Sequence, residues 1–79
     1  MLLREWVQRK VAGGGAESER EALQQLSART RELGCRVSDD TIRRAMRGEW
    51  VTMRTAWAIN LATGGEVELR SMVPGNEDR

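Results

Sequence analysis

The chain has no histidine, no tyrosine and no phenylalanine, and only one cysteine and one proline. Each absence closes a class of function. Without histidine there is no zinc site of Cys/His type and no imidazole acid–base chemistry. The lone Cys35 has no intrachain disulfide partner and reads as a small apolar turn residue. Carboxylates and Ser27 remain, but no nucleophile sits in a recognisable pattern with its base. An enzyme is therefore not expected, nor a bound metal or cofactor. No apolar run approaches the length that spans a bilayer, so no membrane partner is expected. The opening MLLREW lacks the apolar core of a signal peptide, which leads to the expectation of a cytoplasmic protein.

What is present is a short chain of mixed character. Seventy-nine residues make one small domain at most,. A chain of this size buries only a modest core, so a second subunit would add stability. Hydrophobic content of 39% and charged content of 32% fit a globular domain,. The net charge is +1, but it is unevenly spread: residues 29–54 carry seven arginines against four acids, and the remainder is net −2. A basic centre between more acidic ends suits a domain with one side facing a polyanion.

Apolar spacing and punctuation divide the chain into helices. Leu3, Trp6, Val7 and Lys10 fall at helical spacing and predict a first helix over 2–11, stopped by Gly13-Gly14-Gly15,. Ser18 with Glu21 three residues on forms a capping box and starts a second helix running to about Leu33,. Its inner stripe is Ala22, Leu23, Leu26, Thr30 and Leu33, and Gly34 ends it,. Ser38 caps a third helix over 39–47 with Ile42, Ala45 and Met46 inward; Gly48 ends it,. Thr52 caps a fourth helix, to about residue 63, that is apolar nearly all round. Such a helix lies in the core or meets another subunit. Trp6 and Trp50 read as core or core-edge residues. The alternation Glu66-Val67-Glu68-Leu69 predicts a short extended segment,. Ser71 caps a single turn ending at Pro74, and 75–79 reads as a flexible tail,.

The resulting fold class is all-α in the main: a compact four- to five-helix, helix-turn-helix domain over 1–74 with a short extended C-terminal segment. The motif spans about 20–48 and helix 4 about 52–63. The run Leu33-Gly34…Val37-Ser38-x-x-Thr41-Ile42-x-Arg44-x-x-Arg47-Gly48-Glu49 resembles the lambda-repressor/Cro-like family of bacterial and phage regulators. The following Thr52-x-Arg54-Thr55-Ala56-x-x-Ile59-x-x-Ala62-Thr63-Gly64-Gly65-Glu66-Val67 is similar to a segment that often follows the motif there. The likeness covers about 20–73. The turn departs from the family's: Cys35 and Arg36 make it about two residues longer, which leaves the angle between the helices to be set by the structure.

The resemblance implies sequence-specific binding of double-stranded DNA by a homodimer, usually a repressor, at an inverted-repeat operator in the cytoplasm of a bacterial host. A helix fits the major groove, and arginine pairs two donors with guanine. Arg43 and Arg44 lie in the first turns of the third helix, off its core stripe, and are the expected base readers, with Asp39, Asp40 and Arg47 nearby. Backbone contacts are expected from Arg36, Ser38, Thr41, Thr52, Arg54 and Thr55. The two aspartates complement the helix dipole and stand four residues before Arg43 and Arg44, the favourable order for ion pairs. Trp57, Leu61, Val67, Leu69, Met72 and Val73 are the expected subunit contact. Two rivals stay open: an antitoxin or anti-CRISPR-associated autorepressor, and a protein-interaction module that reuses the same shape.

Overall fold

Three hydroxyl side chains start three of the four helices. Ser18 Oγ accepts from the Glu21 amide at 3.2 Å, Ser38 Oγ from Thr41 at 3.3 Å and Thr52 Oγ1 from Thr55 at 3.2 Å. Each satisfies one amide that the helix itself leaves unpaired. The computed structural model describes residues 1–73. In them lie α1 (Leu3–Ala12), α2 (Glu19–Glu32), α3 (Asp39–Met46) and α4 (Met53–Ala62), followed by a 3₁₀ turn, Leu69–Ser71. No strand occurs among the described residues. The fold is all-α.

Two of the helix ends decide where α3 sits. At Gly34, φ is +86°; its amide donates to the Arg31 carbonyl and the Cys35 amide to the Thr30 carbonyl. At Gly48, φ is +92°, with the amides of Gly48 and Glu49 donating to the carbonyls of Ala45 and Arg44. This pair of bonds needs a residue in the left-handed region, where a Cβ is strained.

The helix α2 is the hub: it packs against α1, α3 and α4, while the 3₁₀ turn packs on α4. The core joins Leu3 and Val7 of α1, Ala22, Leu23 and Leu26 of α2, Ile42 and Ala45 of α3, and Ala56, Ala58 and Ile59 of α4. Ala16 from the α1–α2 connection and two valines from later turns, Val37 and Val67, complete it together with Met72 and Val73. Burying a turn residue also buries its peptide groups, which then need partners. Val37 finds them on Ser27 and Thr30 of α2, and Val67 on Asn60 and Thr63 at the end of α4.

Several expectations need correction. The segment Glu66–Leu69 forms no strand; it bends at Val67 and enters the 3₁₀ turn at Leu69. No neighbouring strand offers it a ladder among the described residues, so the Val67 amide and carbonyl bond to the side chains of Thr63 and Asn60 instead. Ser71 closes that turn rather than starting one, its hydroxyl donating to the Glu68 carbonyl at 2.7 Å. The expectations for Pro74 and for the 75–79 tail lie outside the described residues. Leu33, expected inside, is 41% exposed, because the chain turns away at Gly34 and no element covers the end of the α2 stripe. Trp50, expected in the core or at its edge, is 61% exposed. Its neighbour Val51 takes the inward position and ties the connection down, its amide donating to the Met72 carbonyl at 3.1 Å.

Candidate nucleic-acid interface

The helix α3 has eight residues, and its two sides differ completely. Ile42 and Ala45 are buried against α1 and α2, and Met46 is half-buried. Asp40, Arg44 and Arg47 are exposed; Asp39, Thr41 and Arg43 are half-buried. The outward side therefore offers two exposed guanidinium groups, a third that is half-buried, and the exposed carboxylate of Asp40.

The aspartates behave differently from expectation. Neither pair four residues apart, Asp39 with Arg43 or Asp40 with Arg44, is formed. Instead Arg43 Nη1 lies 2.8 Å from Asp40 Oδ1, three residues apart. Both spacings put side chains on neighbouring parts of a helix surface, so the choice falls to packing of the longer stem. Arg43 is the more enclosed arginine of the helix, and the adjacent carboxylate is the one that reaches it. Among the described residues, Arg44 and Arg47 make no ion pair.

The flanking residues fall into two sets. Ser38 and Thr41 are half-buried, with their hydroxyls 3.0 Å apart and Ser38 also capping α3. Thr52 donates its hydroxyl to that of Thr55 at 3.1 Å while capping α4. These hydroxyls thus already have structural work. Arg36 and Arg54 are exposed, and together with Thr55 they line a shallow hollow of about 290 Å³ between the α2–α3 turn and the start of α4. On its other side Arg36 lines a second hollow, about 280 Å³, with Gln24 and Arg31 of α2. The sequence reading missed Gln24 and Arg31 as companions of Arg36. The available signal was that both face away from the α2 core stripe.

A second surface lies on α4. Met53, Trp57 and Leu61 stand four residues apart along one line, and each is about half exposed, Trp57 at 49%. Beside them a groove of about 710 Å³ runs between α4 and the 3₁₀ turn, lined by Met53, Trp57, Asn60, Leu69 and Arg70 among others. Met53 and Asn60 were missed, although Met53 shares the helical phase of Trp57. Expectations at the subunit contact are corrected: Val67 and Met72 are buried within the monomer and present no face to a partner, and Val73 is also buried, reaching the surface only where it lines this groove. Their apolar character is used by the small core. Leu69 is half-buried at the groove edge.

No known protein family, curated protein or solved structure was found to match this chain. No helix among the described residues is long and apolar enough to cross a membrane.

Proposed function

We propose that the protein is a sequence-specific DNA-binding regulator that reads the major groove with α3 and works as a homodimer. One observation carries this reading: Arg44 and Arg47 stand exposed on the outward side of a short helix whose other side is anchored by Ile42 and Ala45. A rigidly anchored helix with projecting arginines is what base-edge recognition requires. Arg43, held by Asp40, supplies a third cation whose direction is fixed before contact. Arg36 in the α2–α3 turn and Arg54 at the start of α4 are exposed, and in this reading they contact backbone phosphates and set register rather than sequence.

The homodimer is supported by the line Met53, Trp57 and Leu61. Exposed large apolar residues in a row are costly on a small domain unless covered, and a two-fold contact matches an inverted-repeat operator. Footprinting on the DNA immediately upstream of the protein's own gene tests the whole reading. A protected inverted repeat is expected, with affinity falling steeply as salt is added, since neutralised phosphates release counterions. Absence of protection together with a flat salt response rejects DNA binding.

A second reading rests on the same apolar line and its groove: the domain is a protein-interaction module that binds another protein on α4. Its distinguishing result is partner binding that survives replacement of Arg44 and Arg47, in a protein with no affinity for duplex DNA.

A further inference from the structure

Thr30 is fully buried in α2, yet it bonds the backbone on both sides of an exposed arginine. Its carbonyl accepts from the Cys35 amide at 3.0 Å, and its hydroxyl accepts from the Val37 amide at 2.9 Å. The residue between them is Arg36. The Thr30 hydroxyl proton is directed to the Ser27 carbonyl at 2.7 Å, and the Ser27 hydroxyl donates to the Val37 carbonyl at 2.6 Å. Peptide groups before and after Arg36 are thus tied to a single helix, while its side chain stands in solvent between the two hollows.

Packing alone does not demand this chemistry. Valine has the shape of threonine and would fill the same buried space, but it would leave the Val37 amide without a partner. The hydroxyl is needed for the turn. A turn lengthened by Cys35 and Arg36 gains freedom that must be lost when Arg36 meets a ligand, and bonds already made in the free protein remove that loss. The hollow on one side of Arg36 also carries Arg54, and that on the other carries Arg31 together with the Asp39 carboxylate, so the tethered residue stands between two further guanidinium groups and the local charge stays net positive.

We infer that Thr30 and Ser27 are positioning residues that hold Arg36 at a fixed place to take a phosphate of the DNA backbone. The inference rests on the DNA-binding reading. Because a phosphate contact is independent of sequence, a short duplex of arbitrary sequence serves as the probe, with affinity measured across a salt series. R36A is expected to lower the salt slope by about 0.9, the value for one lost phosphate contact. T30V is expected to weaken binding by up to about tenfold, the scale of one hydrogen bond, and T30S to restore it. The deciding quantity is coupling: T30V added to R36A should cost little more than R36A alone.

Additive losses mean that Thr30 acts elsewhere and overturn the inference, as does wild-type affinity in T30V. If circular dichroism shows T30V unfolded, S27A takes its place under the same coupling criterion, since it removes only the bond to the Val37 carbonyl. Wild-type protein with no affinity for any duplex rejects the DNA-binding reading, and this inference with it. Duplex binding by the wild type with no coupling to Arg36 rejects the positioning role alone.

Discussion

The helices α3 and α4 begin and end alike but turn opposite chemistry outward. Each is capped by a hydroxyl, Ser38 or Thr52, and each is followed closely by a glycine at positive φ. On α3 the inward residues are apolar and the outward ones are charged, arginines with the exposed Asp40 among them. On α4 both sides are apolar: Ala56, Ala58 and Ile59 are buried, while Met53, Trp57 and Leu61 project. Capping and termination therefore fix where a helix stands and leave its outward surface free to be chosen. A charged outer side is stable in water without a partner; an apolar outer side in so small a domain invites one.

The largest expected effect separates the two sides of α4. Ile59→Ala, at a fully buried position, should lower stability by about 2–5 kcal/mol in urea melts. Leu61→Ala, 53% exposed, should change monomer stability by about 0.5 kcal/mol or less. Equal losses would mean that the outer side is covered within the monomer. Next, Trp57→Ala should weaken self-association by about 2 kcal/mol or more, if Trp57 is the central anchor. Sedimentation across a concentration series reads this, and a wild type that stays monomeric at every concentration removes the subunit contact from α4.

On α3 the effects are smaller and should leave folding intact. Arg44→Ala and Arg47→Ala are each expected to cost about 1–3 kcal/mol of operator affinity where the arginine pairs with a base, with unchanged melting curves. A loss of the same size on scrambled DNA would reassign that arginine to phosphate. The smallest effect belongs to Asp40→Ala. Its ion pair with Arg43 is largely solvated, so stability should move by about 0.5 kcal/mol or less. The informative reading is the ratio of affinities for operator and scrambled duplex: equal gains on both would exclude any part for Asp40 in specificity.

The helix boundaries were readable because their causes are local. Ser18, Ser38 and Thr52 stand directly before apolar periodicity, and Gly34, Gly48 and Gly64 directly after it, so no distant contact is needed to place the ends. The arginines of α3 were readable as outward by the same phase argument, since Ile42 and Ala45 define the inside. Other features depend on what lies across the chain. Val67, Met72 and Val73 look equally apolar whether they fill a core or face a partner. Their burial is decided by the position of the 3₁₀ turn against α4, which the alternation at 66–69 misrepresents. The tether from Ser27 and Thr30 to Val37 spans seven to ten residues and involves side chains whose commonest roles lie elsewhere, so nothing in their spacing announced it. The pairing of Arg43 with Asp40, and not with Asp39, was likewise a matter of packing between two allowed spacings.

By itself the sequence determined that this chain is helical, where three of its helices start, and that one short helix carries arginines away from its apolar side. It did so because hydrogen-bond caps and the 3.6-residue period act between near neighbours. The tertiary structure alone decided which apolar residues are core and which remain on the surface, and it alone set Arg36 between two hollows. Those outcomes depend on which elements meet, and a meeting of elements distant in the chain is decided by packing of the whole, which no local pattern encodes.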